Sequence, residues 1–272
     1  MEKAEDRLTP YICTTCGVQY PPSSVPPLSC KICEDDRQYV NPNGQTWTTL
    51  AKLNDHYKNT IEQVASNIYS IRTQPDFGIG QRAHLIVTPG GNILWDCISN
   101  IDKDTFEEIN KSGGIKAIAL SHPHYFSTMV EWSKSFNNAP IYVNSLDAEW
   151  LARKDAAVNL WEGHEFTLWD DIQLICCGGH FPGGSVLHNP QNGGQLLVGD
   201  VIQVCPDLKS VSFMYSYPNM IPLSKKEIRG IQSAISGKTY ETIYGAFGRY
   251  ITKNAMAVMD FSVDRYLRIF EE

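Results

Sequence analysis

Four cysteines near the start of the chain restrict what its first stretch can become. They fall as Cys13-x2-Cys16, thirteen residues, then Cys30-x2-Cys33. Each C-x2-C pair puts two sulfurs on one tight knuckle, and two knuckles complete a thiolate tetrahedron around one metal ion. Gly17, directly after Cys16, suits such a turn, because glycine takes positive φ without a steric cost. Between the pairs, residues 18–27 (VQYPPSSVPP) read as a loop. Residues 34–47 (EDDRQYVNPNGQTW) are polar and read as a linker or an extended cover. A soft boundary near residue 42 therefore divides a small four-cysteine module, residues 1–42, from a main domain, residues 43–272.

The cysteines suit a reducing compartment. The opening MEKAEDRLTPYI mixes charges of both signs and holds no apolar core of a secretory signal. No run approaches the roughly 18 apolar residues of a membrane-spanning helix. A cytoplasmic location is expected, where eight cysteines act as thiols or metal ligands rather than disulfides. With 23 basic against 30 acidic residues the net charge is −7, which argues against a nucleic-acid partner. The segments YICTTCGVQY and PPLSCKIC resemble the rubredoxin-like module at the end of rubrerythrins, and zinc ribbons generally. That resemblance implies one ion in a structural role. Zinc is expected and iron is open, because thiolate tetrahedra suit both.

Beyond residue 42, short β-rich runs alternate with helical ones. Strands are expected at 68–72, 84–88 and 92–97, the last two joined by a Pro-Gly-Gly turn. Further strands are expected at 115–120, 140–144, 165–168, 172–176, 185–187, 195–198 and 242–244. Helices are expected at 103–111, 128–136, 147–153, 224–235 and 255–270. Such a mixture in two successive halves predicts a layered α/β protein.

Three strand ends carry chemistry. An apolar run, Ala117 to Leu120, leads into Ser121-His122-Pro123-His124. In an extended segment the side chains at i and i+2 share a side, so both imidazoles can reach one ion. His180 lies in the glycine-rich turn Gly178-Gly179-His180-Phe181-Pro182-Gly183-Gly184, and Asp200 ends the apolar run LLVGD. In this order and spacing the features resemble the metallo-β-lactamase fold hydrolases, including the glyoxalase II-like branch. The resemblance implies an αββα sandwich with its metal site at one edge of two facing sheets. It makes His122 and His124 the first two histidines of the HxHxDH motif. His180 becomes the histidine of the GHTPGS-like motif, and Asp200 the aspartate that contacts or bridges the metals. Asp96, in ILWDC, matches an aspartate that supports the metal loop. The chain also departs from the pattern. Phe126 and Ser127 stand where the motif continues with aspartate and histidine, and Phe247 where the last histidine would sit. The resemblance therefore implies one ion, zinc or iron, held by His122, His124 and His180, with Asp200 as fourth ligand or partner of a bound water. Phe126 and Phe247, being aromatic, are expected to fill the second pocket with apolar volume.

Other residues are weighed beside these. Glu131 is an ordinary helix residue or a replacement carboxylate. His188, eight residues past His180, lies within reach of the pocket if its strand neighbours it. His56, His84 and His164 are expected outside the site. Tyr215 and Tyr217 follow Asp200 in a region that lines the cleft in the family, or else belong to a loop packed on the core, and Arg249 could pair with an anionic group of a substrate. The expected activity is hydrolysis of an ester, thioester or related bond in a small molecule, with Asp200 orienting or deprotonating the water. Two other readings stay open. Sulfur dioxygenases of the same fold resemble this arrangement, and His122, His180 and Asp200 could form their 2-His-1-carboxylate iron triad. A non-catalytic, metal-binding scaffold would explain the lost second-site ligands.

Overall fold

The computed structural model describes residues 8–270; residues 1–7, part of the stretch read for a leader, lie outside the described residues. Two large sheets carry the main domain. The first has seven strands in the order Val158–Trp161, Ile141–Asn144, Ala117–Ala119, Ile93–Trp95, Arg82–Ile86, Ile68–Gln74, Lys58–Ala65. The second has six, in the order Glu165–Thr167, Gln173–Cys176, Ser185–Asn189, Gln195–Gly199, Thr242–Gly245, Tyr250–Ile251.

Strand periodicity divides each run between two cores. Leu197 faces the other sheet and packs with Ile68, Ile86, Trp95, Leu187 and Tyr244. Its neighbours Leu196 and Val198 point the opposite way, under the helices Lys225–Ala234 and Ala255–Ile269. In the first sheet Ala119 faces inward, while Leu94 and Ile118 pack beneath Ile109, Val130 and Trp132. Those last residues belong to the helices Lys103–Lys111 and Met129–Ser135. The result is helices, sheet, sheet, helices: the expected αββα sandwich. Strands buried on both faces read as continuous apolar runs, which is why LLVG and AIAL stand out in the sequence.

Local signals set several ends. Asp102 caps the helix Lys103–Lys111 by accepting from Thr105 N at 2.8 Å. Ser224 and Glu227 form a reciprocal capping box at Lys225–Ala234. The helix expected at 147–153 is instead the 3-10 segment Ser145–Trp150, and the strand expected at 115–120 shortens to Ala117–Ala119. No described helix is long and apolar enough to cross a membrane.

The cysteine segment forms a separate three-stranded sheet, in the order Gln19–Ser23, Thr9–Cys13, Trp47–Thr48, with the short helix Lys31–Glu34 beside it. It is tied to the sandwich through main-chain groups. Gln19 N donates to Ser127 O at 3.0 Å, and Ser99 Oγ donates to Gly17 O at 2.8 Å. Arg153 joins Gln19 and Glu131 in one partly buried cluster. Glu131 is thereby a structural ion-pair residue at this junction, away from the histidines.

Candidate metal centre

The ends of two parallel strands build one side of the site. Ile93–Trp95 and Ala117–Ala119 run side by side, so Asp96 and Ser121 emerge at the same edge. Asp96 adopts φ 61°, a left-handed turn that an aspartate tolerates better than most residues. Its Oδ1 accepts from Ser121 N at 2.7 Å, and Ser121 Oγ lies 3.0 Å from His122 Nδ1. This relay fixes the His122 ring with Nε2 turned to the cluster. Burial raises the Asp96 pKa well above the ordinary carboxylate range.

His122 and His124 converge, though not through an extended strand. His122 is extended, and Pro123–Tyr125 then winds into a 3-10 turn that swings His124 back towards it. The two ring centres are 5.1 Å apart. Phe126 does not face the histidines: it joins the apolar core beneath the helix Met129–Ser135, with Leu120 and Val130. Tyr125 takes that place, its ring 4.7 Å from His122 and edge-on to it. Burial, with the nearby Asp200 charge, pushes the Tyr125 phenol well above its usual pKa.

The glycine-rich turn delivers the third imidazole. Gly178 and Gly179 take φ of 67° and 79°. A Cβ on Gly184 would stand 2.7 Å from Gly178 O and 2.9 Å from Phe181 O, so the loop closes only on a bare backbone. Asp147, on the 3-10 segment, accepts from Gly183 N at 2.8 Å, and burial raises its pKa to about 7. His180 Nδ1 lies 3.1 Å from Met214 O, a donor position that leaves Nε2 as the free lone pair. Asp200 follows Gln195–Gly199 on the second sheet, its carbonyl held by Tyr217 Oη at 2.8 Å.

One nitrogen or oxygen from each of His122, His124, His180 and Asp200 lies within 4.8 Å of the others. His180 Nε2 is 3.2 Å from His124 Nδ1, and His122 Nε2 is 2.9 Å from Asp200 Oδ1. All four residues are at most 3% exposed, yet His122 Nε2 and Asp200 Oδ1 have no hydrogen-bond partner. Burial lowers the His122 pKa to about 3 and His180 to about 4, so both rings are neutral and offer lone pairs. Buried imidazole nitrogens and a carboxylate oxygen converging at this distance are the donor set of a transition-metal ion. The cysteines fit an ion equally well. Cys13 Sγ to Cys33 Sγ and Cys16 Sγ to Cys30 Sγ are both 3.6 Å, far beyond a disulfide. A tetrahedron of that edge has corners about 2.2 Å from its centre, close to a metal–thiolate bond.

The remaining candidates divide. Tyr217 stands 5.7 Å from the His180 ring, and Tyr215 lies a shell further out, against the Arg37 guanidinium. Arg249 gives its carbonyl to Gly245 N, and among the described residues no hydrogen bond or ion pair brings its side chain to the cluster. His188 Nε2 lies 2.8 Å from Thr239 O, away from the pocket. His84 Nε2 lies 3.4 Å from Tyr250 Oη, between the sheets.

The cation that does reach the site is Arg37, from the polar stretch after the cysteines. Its Nε donates to His180 O at 2.6 Å, and its Cζ lies 4.5 Å from the Phe181 ring centre. Sequence reasoning missed it, because nothing in EDDRQYV sets one charged residue apart. Tyr125 and Asp147 were missed too. Tyr125 sits beside the histidine motif, and that adjacency was its available signal.

No known protein-family model matches the chain. In three dimensions it is similar to the DIM-1 metallo-β-lactamase, with a TM-score of 0.59 at 17% identity over 76% of this chain and 96% of that one. TTHA1623, solved in a di-iron-bound form, gives a TM-score of 0.52 at 19% identity over 66% of this chain and 92% of that one. At such identities the likeness establishes the metallo-β-lactamase fold. In sequence, the uncharacterized protein YmaE of Bacillus subtilis (strain 168) is 45% identical over 263 residues, covering 95% of this chain and 96% of that protein. With four clustered cysteines near the N-terminus and a histidine–aspartate cluster at the sheet edge, the chain belongs by near-full-length identity to the YmaE family, on a metallo-β-lactamase fold.

Proposed function

We propose that the chain is a metal-dependent hydrolase that holds one ion with His122, His124, His180 and Asp200 and cleaves an ester or thioester bond in a small molecule. The observation that carries this reading is the pair of buried, unpartnered ligand atoms, His122 Nε2 and Asp200 Oδ1, facing two further imidazole nitrogens. Likeness to metallo-β-lactamases is in keeping with hydrolysis, and together with the di-iron-bound TTHA1623 it supports metal-dependent chemistry at this site. A bound Zn²⁺ would supply a water of pKa roughly 7 and a Lewis acid for the carbonyl. Asp200 would be a fourth ligand or would orient that water and take up its proton, and its own backbone is pinned by Tyr217. Ser121 and Asp96 keep the His122 ring from turning, and Met214 O does the same for His180. Tyr125, with Phe126 and Ser127 in place of ligands, supports a mononuclear site. Cys13, Cys16, Cys30 and Cys33 would hold a second, structural ion, with zinc favoured.

One observation supports an iron oxygenase instead. Trp150 packs against the cysteine cluster and lies 5.4 Å from the Phe181 ring, which itself touches all three imidazole rings. That aromatic contact joins the two metal sites, as electron transfer would need.

Metal analysis of protein purified without added metal, run beside ester and thioester panels at several pH values, tests the proposal. Two zincs per chain with turnover of an ester or thioester support it. Iron at the histidine site sinks it in favour of the oxygenase, and zinc with no turnover across the panels favours a scaffold.

A further inference from the structure

The histidine cluster is buried, and the group that meets it from the cysteine segment is positively charged. Arg37 follows the helix Lys31–Glu34 by three residues, so the second cysteine knuckle fixes where it stands. Its Nη1 donates to both carboxylate oxygens of Asp35, at 2.9 and 3.0 Å, and its Nε donates to the His180 carbonyl. The guanidinium plane is clamped between two rings, with Cζ 4.5 Å from the Phe181 centre and 4.6 Å from the Tyr215 centre.

Among the described residues Nη2 has no hydrogen-bond partner, and it is not sealed from solvent, so this amino group is open to a ligand. Nη1 is taken by Asp35 and Nε by the His180 carbonyl. A guanidinium locked by aromatic faces and one carboxylate, with an amino group left over, is pre-organised for a second oxyanion.

We infer that Arg37 is a substrate-binding residue and that the substrate carries a carboxylate or phosphate group, held by Nη2 at the edge of the histidine pocket. The inference rests on the histidine cluster being the reaction centre. Tyr215 then serves the substrate indirectly, by holding the guanidinium flat. Among the described residues, no such contacts are recorded for the side chain of Arg249, the seat expected from sequence for an anionic group.

The test uses full-length protein with zinc at the cysteines and Co²⁺ at the histidine site alone, so that the visible absorption reports ligands at the histidines. Inorganic phosphate and acetate are titrated into wild type, Arg37→Gln and Arg37→Lys, with metal content and melting temperature measured on each. Wild type is expected to bind at least one of the two anions. Arg37→Gln should weaken that binding roughly 10- to 100-fold, the worth of a charge-assisted pair, at unchanged cobalt content. Arg37→Lys should fall between, keeping the charge but losing the planar fork. If Arg37→Gln fails to fold, the Lys variant alone decides. Binding in the foldable variants equal to wild type, or no anion binding in wild type, overturns the inference. The two readings can fail separately. Arg37-dependent anion binding with silent ester panels leaves this inference standing without the hydrolase. Active panels with an anion affinity indifferent to Arg37 do the reverse.

Discussion

Asp200 can be separated from its histidine partners because it alone can both ligate an ion and accept a proton. Asp200→Asn keeps the shape and removes the charge, while three imidazoles still hold zinc, as three-histidine sites do. Metal content should fall modestly and ester or thioester turnover by roughly 10²-fold or more, the scale of a lost general base. Parallel metal assays and initial rates check this, and an Asp200→Asn enzyme as fast as wild type would discredit the role. Glu131→Gln, run beside it, should leave turnover unchanged, because Glu131 pairs with Arg153 at the module junction. Asp147 makes a different prediction. Its folded pKa, about 7, lies above the ordinary 3.8 because burial penalises the charge. Asp147 therefore takes up a proton on folding between those values, and its contribution to stability declines as pH rises through that window. Asp147→Asn should still accept from Gly183 N but does not titrate. Urea midpoints should show the variant gaining on wild type from pH 5 to pH 8, and a pH-independent difference would contradict this.

At the scale of an element, the loop 178–184 is the part whose shape the site needs most. It carries His180, and its closure depends on backbone atoms too near Gly184 for any side chain. Gly184→Ala must open the loop or shift His180. We expect a destabilisation of about 1–3 kcal/mol, the usual cost of forcing a methyl into a packed place. Metal at the histidine site should be lost selectively while the cysteine ion is retained. Retention of both ions in Gly184→Ala protein, by metal analysis and melting, would mean that the loop yields more easily than its contacts allow. The segment Pro123–Tyr125 carries a related lesson. Two histidines two apart meet there through a 3-10 turn, so the residue spacing gave the right convergence through the wrong geometry. The turn also moves Phe126 into the core and Tyr125 against His122, which reading alternate positions as same-sided does not foresee.

Across the whole molecule, the cysteine segment and the histidine cluster are mechanically joined. Lys31 Nζ lies 4.6 Å from the Trp150 ring centre, Asn219 Nδ2 donates to Asp36 O at 2.8 Å, and Arg37 bonds the His180 carbonyl. Cys30→Ser leaves an incomplete thiolate set, and metal binding in such small sites is itself the folding energy. The variant should lose one ion, become protease-sensitive between residues 10 and 40, and surrender its histidine-site ion faster to a chelator. Full wild-type metal content with unchanged proteolysis would exclude a structural cysteine site. What the sequence settled by itself is local: thiolate pairs on knuckles, strand-end histidines and aspartate, caps, and apolar runs long enough to be buried on both faces. Those signals lie within a few residues of one another, where backbone geometry leaves few choices. Only tertiary structure decided that Arg37 reaches His180 across 143 positions and that Tyr125 rather than Phe126 faces the ion site. Such contacts arise from how sheets stack and where a module docks, and no spacing along the chain encodes a distance of that kind.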